Sequence, residues 1–141
     1  MATILRFEDL EIWKMARELA NEVFTVYSNS NSFSKDYKLK EQINGSSGSV
    51  MDNIAEGFAR GSRNEFINFL SIAKGSIAEV KSQLYRAHDR DYISSDAFDS
   101  LYNKADEISK KVAVFIKYLN STGYKGTKFK DRNSQTENTK L

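Results

Sequence analysis

Apolar side chains return every three or four positions in four separate stretches of the chain. Ile12, Ala16, Leu19, Val23 and Val26 make the first, and Leu39, Ile43, Val50, Ile54 and Phe58 the second. Phe66, Leu70, Ala73, Ile77, Val80, Leu84 and Ala87 make the third, and Leu101, Ala105, Ile108, Val112, Phe115 and Leu119 the fourth. Spacing of this kind gathers the members of each stretch on one face of a helix. Strand-like alternation is not sustained anywhere. The pattern predicts helices over about residues 8–28, 36–59, 63–90 and 95–120.

The intervening segments carry stop and start signals. "SNSNSFS", 28–34, is a polar breaker, and Ser34 or Asp36 can cap the second helix. Gly61 interrupts the chain before Ser62, and Glu65 follows three residues later in the capping-box pattern. "DYISSDAF", 91–98, ends the third helix and offers Ser94 or Ser95 as cap for the fourth. Four amphipathic helices with short connections imply an all-α, antiparallel up-and-down four-helix bundle over residues 1–120. Beyond Asn120 the rhythm stops, so residues 121–141 are expected to form a mobile, disordered basic tail.

The second stretch runs through "NGSSGS", residues 44–49. The stripe continues across it through Ser46 or Ser47, so a linker is excluded. No Lys-Ser/Thr follows the glycines, so a phosphate loop is excluded as well. Each interior Gly costs about 1 kcal/mol against Ala and each Ser about half of that. A close crossing with a neighbouring helix, made by the small residues of the run Gly45–Ser49, is the expected compensation. Asn53, Glu56 and Gly57 of "NIAEG" then lie where helix two meets helix three, with Asn53 and Glu56 expected as a hydrogen-bonded brace. Trp13, Ala20, Phe24 and Tyr27, Phe69 and Ile72, and Val114, Ile116 and Tyr118 widen the apolar arcs. They imply either a broad core or a second buried surface between copies of the chain.

Composition removes several classes of function. The chain has no Pro, which permits long unbroken helices, and no Cys, which excludes disulfides and thiolate metal sites. Its longest apolar run, Val112–Ile116, is far short of the roughly 20 residues that span a bilayer, and no secretory signal is evident. A cytoplasmic protein without membrane attachment is expected. His88 is the only histidine, and no Glu-x-x-His pair accompanies it, so no metal site is expected. A surface or helix-capping role suits it better. No catalytic or cofactor-binding constellation is present, and the chain reads as a non-enzyme.

Charge is uneven. Residues 1–120 carry 16 Lys/Arg and 17 Asp/Glu, whereas residues 121–141 carry 5 and 2. The basic excess of the chain therefore belongs to the tail. Within the bundle the third helix and its approach hold the candidate phosphate contacts, Arg60, Arg63, Lys74 and Lys81. In the tail, Lys125, Lys128, Lys130 and Arg132 interleave with Tyr124 and Phe129, a mixture able to engage phosphates and stack on bases.

"FEDLEIWKMA", residues 7–16, and "SVMDNIAEGFARGSRNEFINFLSIAKGSIAEVKSQL", residues 49–84, resemble the bacterial four helix bundle proteins encoded in intervening sequences of large-subunit ribosomal RNA genes. The chain is similar also to the accessory protein of diversity-generating retroelements. The resemblance covers about residues 6–120. It implies a bundle that assembles as a homopentamer and has no known catalytic activity; for the retroelement relatives it implies binding to nucleic acid and to a reverse transcriptase. The family pattern before "NIAEG" looks like Gln-Ile-Arg-Arg-Ala-Ala-Val-Ser-Ile-Pro. Gln42, Ile43, Ser49 and Val50 fit it, but Asn44 and Gly45 replace the two arginines, Ser46, Ser47 and Gly48 the next three residues, and Met51 the proline.

Two functional readings follow. The first is a non-enzymatic, oligomeric accessory protein associated with RNA or DNA. The second is a protein-interaction scaffold without nucleic-acid affinity. The resemblance favours the first and the balanced charge of the bundle the second; the first is preferred.

Overall fold

A computed structural model describes residues 4–122. A single 3-10 turn, Phe7–Asp9, leads through extended Leu10 into α1 (Glu11–Asn29). Then follow α2 (Asn31–Lys35), α3 (Tyr37–Ala59), α4 (Arg63–Asp89) and α5 (Ser95–Thr122). The first long helix thus starts at Glu11 rather than near residue 8. Helix α5 runs through Thr122, two residues into the expected tail; the rest of that tail, with Lys125, Lys128, Lys130 and Arg132, lies outside the described residues.

The four long helices pack as an antiparallel bundle. Helix α1 contacts α3 and α5, and α4 contacts the same two, so the helices form a ring of neighbours in the order α1, α3, α4, α5. The α3–α4 pair has the most extensive contact. The predicted stripes line the interior: Ile12, Leu19, Ile43, Ile54, Phe66, Leu70, Ile77 and Ile108 are fully buried. In α1 the stripe ends on Tyr27, which is buried, while Val26 is only partly so. The extra apolar residues divide. Phe24, Ile72 and Val114 are more than half exposed, whereas Trp13, Ile116 and Tyr118 pack against the core.

The segment expected to be a plain breaker contains α2. Ser30 caps it by accepting from the Phe33 amide (3.1 Å), and Phe33 is 1 % exposed, stacked on Tyr92 and tilted against Tyr27. One apolar residue among polar neighbours has no periodicity, so this buried anchor was not legible in the sequence. Of the alternative caps, Asp36 serves α3, accepting from the Leu39 amide (3.1 Å), and Ser94 serves α5, accepting from the Ala97 amide (3.1 Å). At α4 the capping box is half made. Ser62 accepts from the Glu65 amide (3.4 Å), but the Glu65 carboxylate pairs with Arg60 instead of reaching back.

Helix α3 stops at Gly61, whose φ of 75° suits a residue without Cβ. Helix α4 closes on Asp91 at φ 59°, with the Asp91 amide bonded to His88 O and the Tyr92 amide to Ala87 O. This is the two-bond left-handed stop usually given to glycine, taken here by an aspartate, which tolerates the conformation better than most L residues.

Asp36 joins distant parts of the chain. Besides capping α3, it accepts from Tyr92 Oη (2.8 Å) and Arg90 Nη1 (3.0 Å) in the α4–α5 turn. The Tyr92 hydroxyl, the Leu39 amide and Arg90 hold its carboxyl below the ordinary value of 3.8, and the same contact pushes the Tyr92 hydroxyl up. A carboxylate with a lowered folded pKa stabilises the fold above its unfolded pKa, and that contribution is lost as pH falls through the folded value. Asp36→Asn keeps a good cap but removes the charge. The variant should melt below the wild type at neutral pH, and the gap should close as pH drops below 3.8. Paired thermal melts across that range test it; a gap independent of pH would sink the assignment.

Candidate functional site

The α3–α4 contact carries a polar seam. Gln42, Ser46, Ser49 and Asn53 are spaced four, three and four apart, which aligns them along one edge of α3. Arg86 Nη1 donates to Gln42 Oε1 (2.9 Å), Ser46 Oγ donates to Gln83 Oε1 (2.5 Å), and the Ser49 and Ser76 hydroxyls bond at 2.9 Å. Asn53 Nδ2 donates to Ser49 O (2.8 Å) and Ser49 Oγ (2.9 Å). Ser46 and Ser76 are buried, so these bonds avoid the penalty of about 1–3 kcal/mol for an unsatisfied buried polar group. Of the expected brace, Asn53 therefore does its bracing inside α3 and toward the Ser49–Ser76 pair. Glu56 makes an exposed ion pair with Arg60 (3.1 Å), worth at most about 1 kcal/mol.

Of the small residues expected to make a close crossing, Ser46 and Ser49 meet α4 but Gly45 and Gly48 do not. A Cβ built on Gly45 or Gly48 would meet nothing within 4 Å, and the same holds for Gly75 on α4. On Gly57 it would lie 2.6 Å from Phe69 Cβ and 3.0 Å from Phe66 Cδ1. The serines of the stretch face the core and α4, and its glycines fall off the stripe. The sequence held the signal: Ile43, Ser46, Ser47 and Val50 define the buried face, and 45 and 48 are not on it. Beside the seam opens a cleft of about 310 Å³, lined by Gln42, Glu79, Ser82, Gln83 and Arg86.

The bundle cations do not converge. Arg60 pairs with Glu56 and Glu65 and stacks 4.9 Å over the Phe69 ring. Arg63 turns toward the other side and donates to Leu119 O (3.2 Å) at the carbonyl end of α5, where a cation suits the helix dipole; its Nε is buried without a partner. Lys81 bonds Asp106 (2.7 Å) and lies 4.9 Å over the Tyr102 ring; the Asp106 hydrogen bond leads the causes that raise its pKa. The same bond, with Lys110 beside it, lowers Asp106. Lys74 is exposed and makes no ion pair among the described residues.

Sequence reasoning missed a second surface. Tyr85 of α4 meets Phe98 (4.9 Å between centroids) and Tyr102 (5.7 Å) of α5, and Phe98 stacks on Tyr102 (5.4 Å). His88 joins the cluster, 5.3 Å from Phe98, with its Nε2 3.1 Å from Ser95 Oγ. Tyr85 remains 51 % exposed. The spacing of Phe98 and Tyr102 was visible; their meeting with Tyr85 depends on how α4 and α5 dock.

Among the described residues no group of three or more His, Cys, Asp or Glu side chains is placed to hold a metal ion, and no helix is long and apolar enough to cross a membrane. The chain matches the family model described as 23S rRNA-intervening sequence protein over residues 8–114. It is similar to a crystal structure from Bacteroides thetaiotaomicron VPI-5482, described as a protein of unknown function from the S23 ribosomal protein family. The two share 28% identity with a TM-score of 0.70, over 75% of this chain and 98% of the other. No curated protein matches.

Proposed function

The chain belongs to the 23S rRNA-intervening sequence protein family, and on that premise we propose that it acts without catalysis, as a self-associating scaffold that uses its α3–α4 face. One observation carries this reading. Gly45, Gly48 and Gly75 sit inside helices, cost about 1 kcal/mol each against Ala, and have no neighbour that requires them small. A cost borne by every folded chain is best offset by a surface present with every chain, namely another copy. A homopentamer is the assembly expected from the resemblance, and a cytoplasmic location goes with it.

Light scattering on the full chain at micromolar concentration tests the reading. A mass near five times 16.1 kDa is expected, and a monomer would overturn it.

The uneven charge supports a second reading, association with RNA or DNA through Lys74 and the cations of 124–132. The internal contacts of Arg60, Arg63 and Lys81 place it second. Binding to a structured RNA that weakens steeply between about 50 and 200 mM salt would promote it; no binding at either salt would remove it.

A further inference from the structure

Asn44–Gly45 is the only Asn-Gly pair in the chain, and it lies in the interior of α3. Such a pair is reactive in its own right. The backbone nitrogen can attack the side-chain amide carbon of the asparagine before it, and a glycine has no Cβ to block the approach. Both residues are exposed, and a Cβ on Gly45 would meet nothing within 4 Å. The Asn44 carbonyl accepts from Ser47 Oγ (3.3 Å), but its side-chain amide makes no hydrogen bond among the described residues. Asn53 of the same helix is the contrast. Ile54 follows it, it is partly buried, and its Nδ2 is held by Ser49.

Helix α3 holds the reaction back. Ring closure requires the Asn44 ψ to leave the helical range, so that the Gly45 nitrogen faces Cγ. The Gly45 N–H must also leave its acceptor one turn back in the helix. The helix is weakest at this point. "NGSSGS", 44–49, contains no strong helix former. The Ser46 and Ser47 hydroxyls each bond a carbonyl three residues back, which offers the backbone an alternative to the helical ladder.

We propose that Asn44 is a site of spontaneous deamidation, gated by local opening of α3. In the opened segment the Gly45 nitrogen bonds Asn44 Cγ, and its proton passes to the departing amide nitrogen, which leaves as ammonia. The resulting cyclic imide takes up water at one of its two carbonyls and opens. The product is aspartate, or isoaspartate where the chain now runs on through Cγ. Water enters, ammonia leaves, and nothing is oxidised or reduced. Either product adds a negative charge. Isoaspartate also lengthens the main chain by a carbon between Gln42 and Ser46, which bond Arg86 and Gln83 of α4. The converted chain cannot keep both contacts in register.

Mass mapping of the full chain, held in warm and mildly alkaline buffer, tests this. Trypsin leaves both asparagines in one peptide, residues 41–60, so each chain carries its own control. In the native chain Asn44 should convert several-fold faster than Asn53, and Gly45→Ala should bring it down to the Asn53 rate. Ile43→Val trims a fully buried side chain next to the pair without altering the pair itself. It should raise the native rate at Asn44 several-fold and leave the rate in concentrated urea unchanged. Equal native rates at 44 and 53 would overturn the site. A native rate as fast as that in urea, or unmoved by Ile43→Val, would overturn the gating.

Discussion

Gly57→Ala lowers the stability of the bundle by about 1–3 kcal/mol, the range for forcing extra atoms into a packed site. Alanine is the better helix former by about 1 kcal/mol, so the clash must exceed that gain for the sign to hold. It does so because the added carbon falls 2.6 Å from Phe69 Cβ, an atom fixed to the backbone of α4. A flexible side-chain tip could swing aside; here α3 and α4 must separate. The same geometry predicts that Phe69→Ala fails to rescue Gly57→Ala, because it leaves Cβ in place. Urea titration of the two single variants and the double variant measures this. Recovery of stability in the double variant would show that the ring, rather than the backbone of α4, sets the limit.

Gly45→Ala, Gly48→Ala and Gly75→Ala have the opposite sign. With open space at all three positions, the combined variant should gain about 2–3 kcal/mol of intrinsic helix stability, about 1 kcal/mol for each glycine replaced. For a domain of this size the melting midpoint of the folded chain would rise by about 10 °C. If the α3–α4 face is where copies meet, the same three methyl groups hold the neighbouring backbone away and the assembly dissociates. A more stable monomer is therefore the expected product, read by light scattering beside the thermal melt. A variant that is more stable and still fully assembled would move the contact to another face.

These opposite signs within one motif show how far the sequence could be read. Periodicity located the four long helices because each stripe repeats for five to seven members. Caps at Ser62, Asp36 and Ser94 were legible because each is a local relation between neighbours in sequence. Phe33 was not, since its burial depends on Tyr27 and Tyr92 from other elements. The glycines were recognised as interior to a helix, but the small residues were assigned to packing as a group. Only the direction in which each Cα faces separates Gly57 from Gly45 and Gly48. The aromatic cluster and the partners of Gln42, Ser46 and Ser49 were illegible for the same reason, being relations between helices.

The polar seam also bears on alignment. Apolar stripes on two antiparallel helices match nearly as well after one slides by a heptad, because Leu, Ile and Val fill similar space. Gln42 with Arg86, Ser46 with Gln83, Ser49 with Ser76 and Gly57 against Phe69 descend the pair in fixed order, and a slide breaks all four together. Buried hydroxyls would lose their partners and Gly57 would no longer face the ring it accommodates. The seam thus acts as a key that admits one alignment of α3 with α4, and its larger contribution is selectivity among compact alternatives.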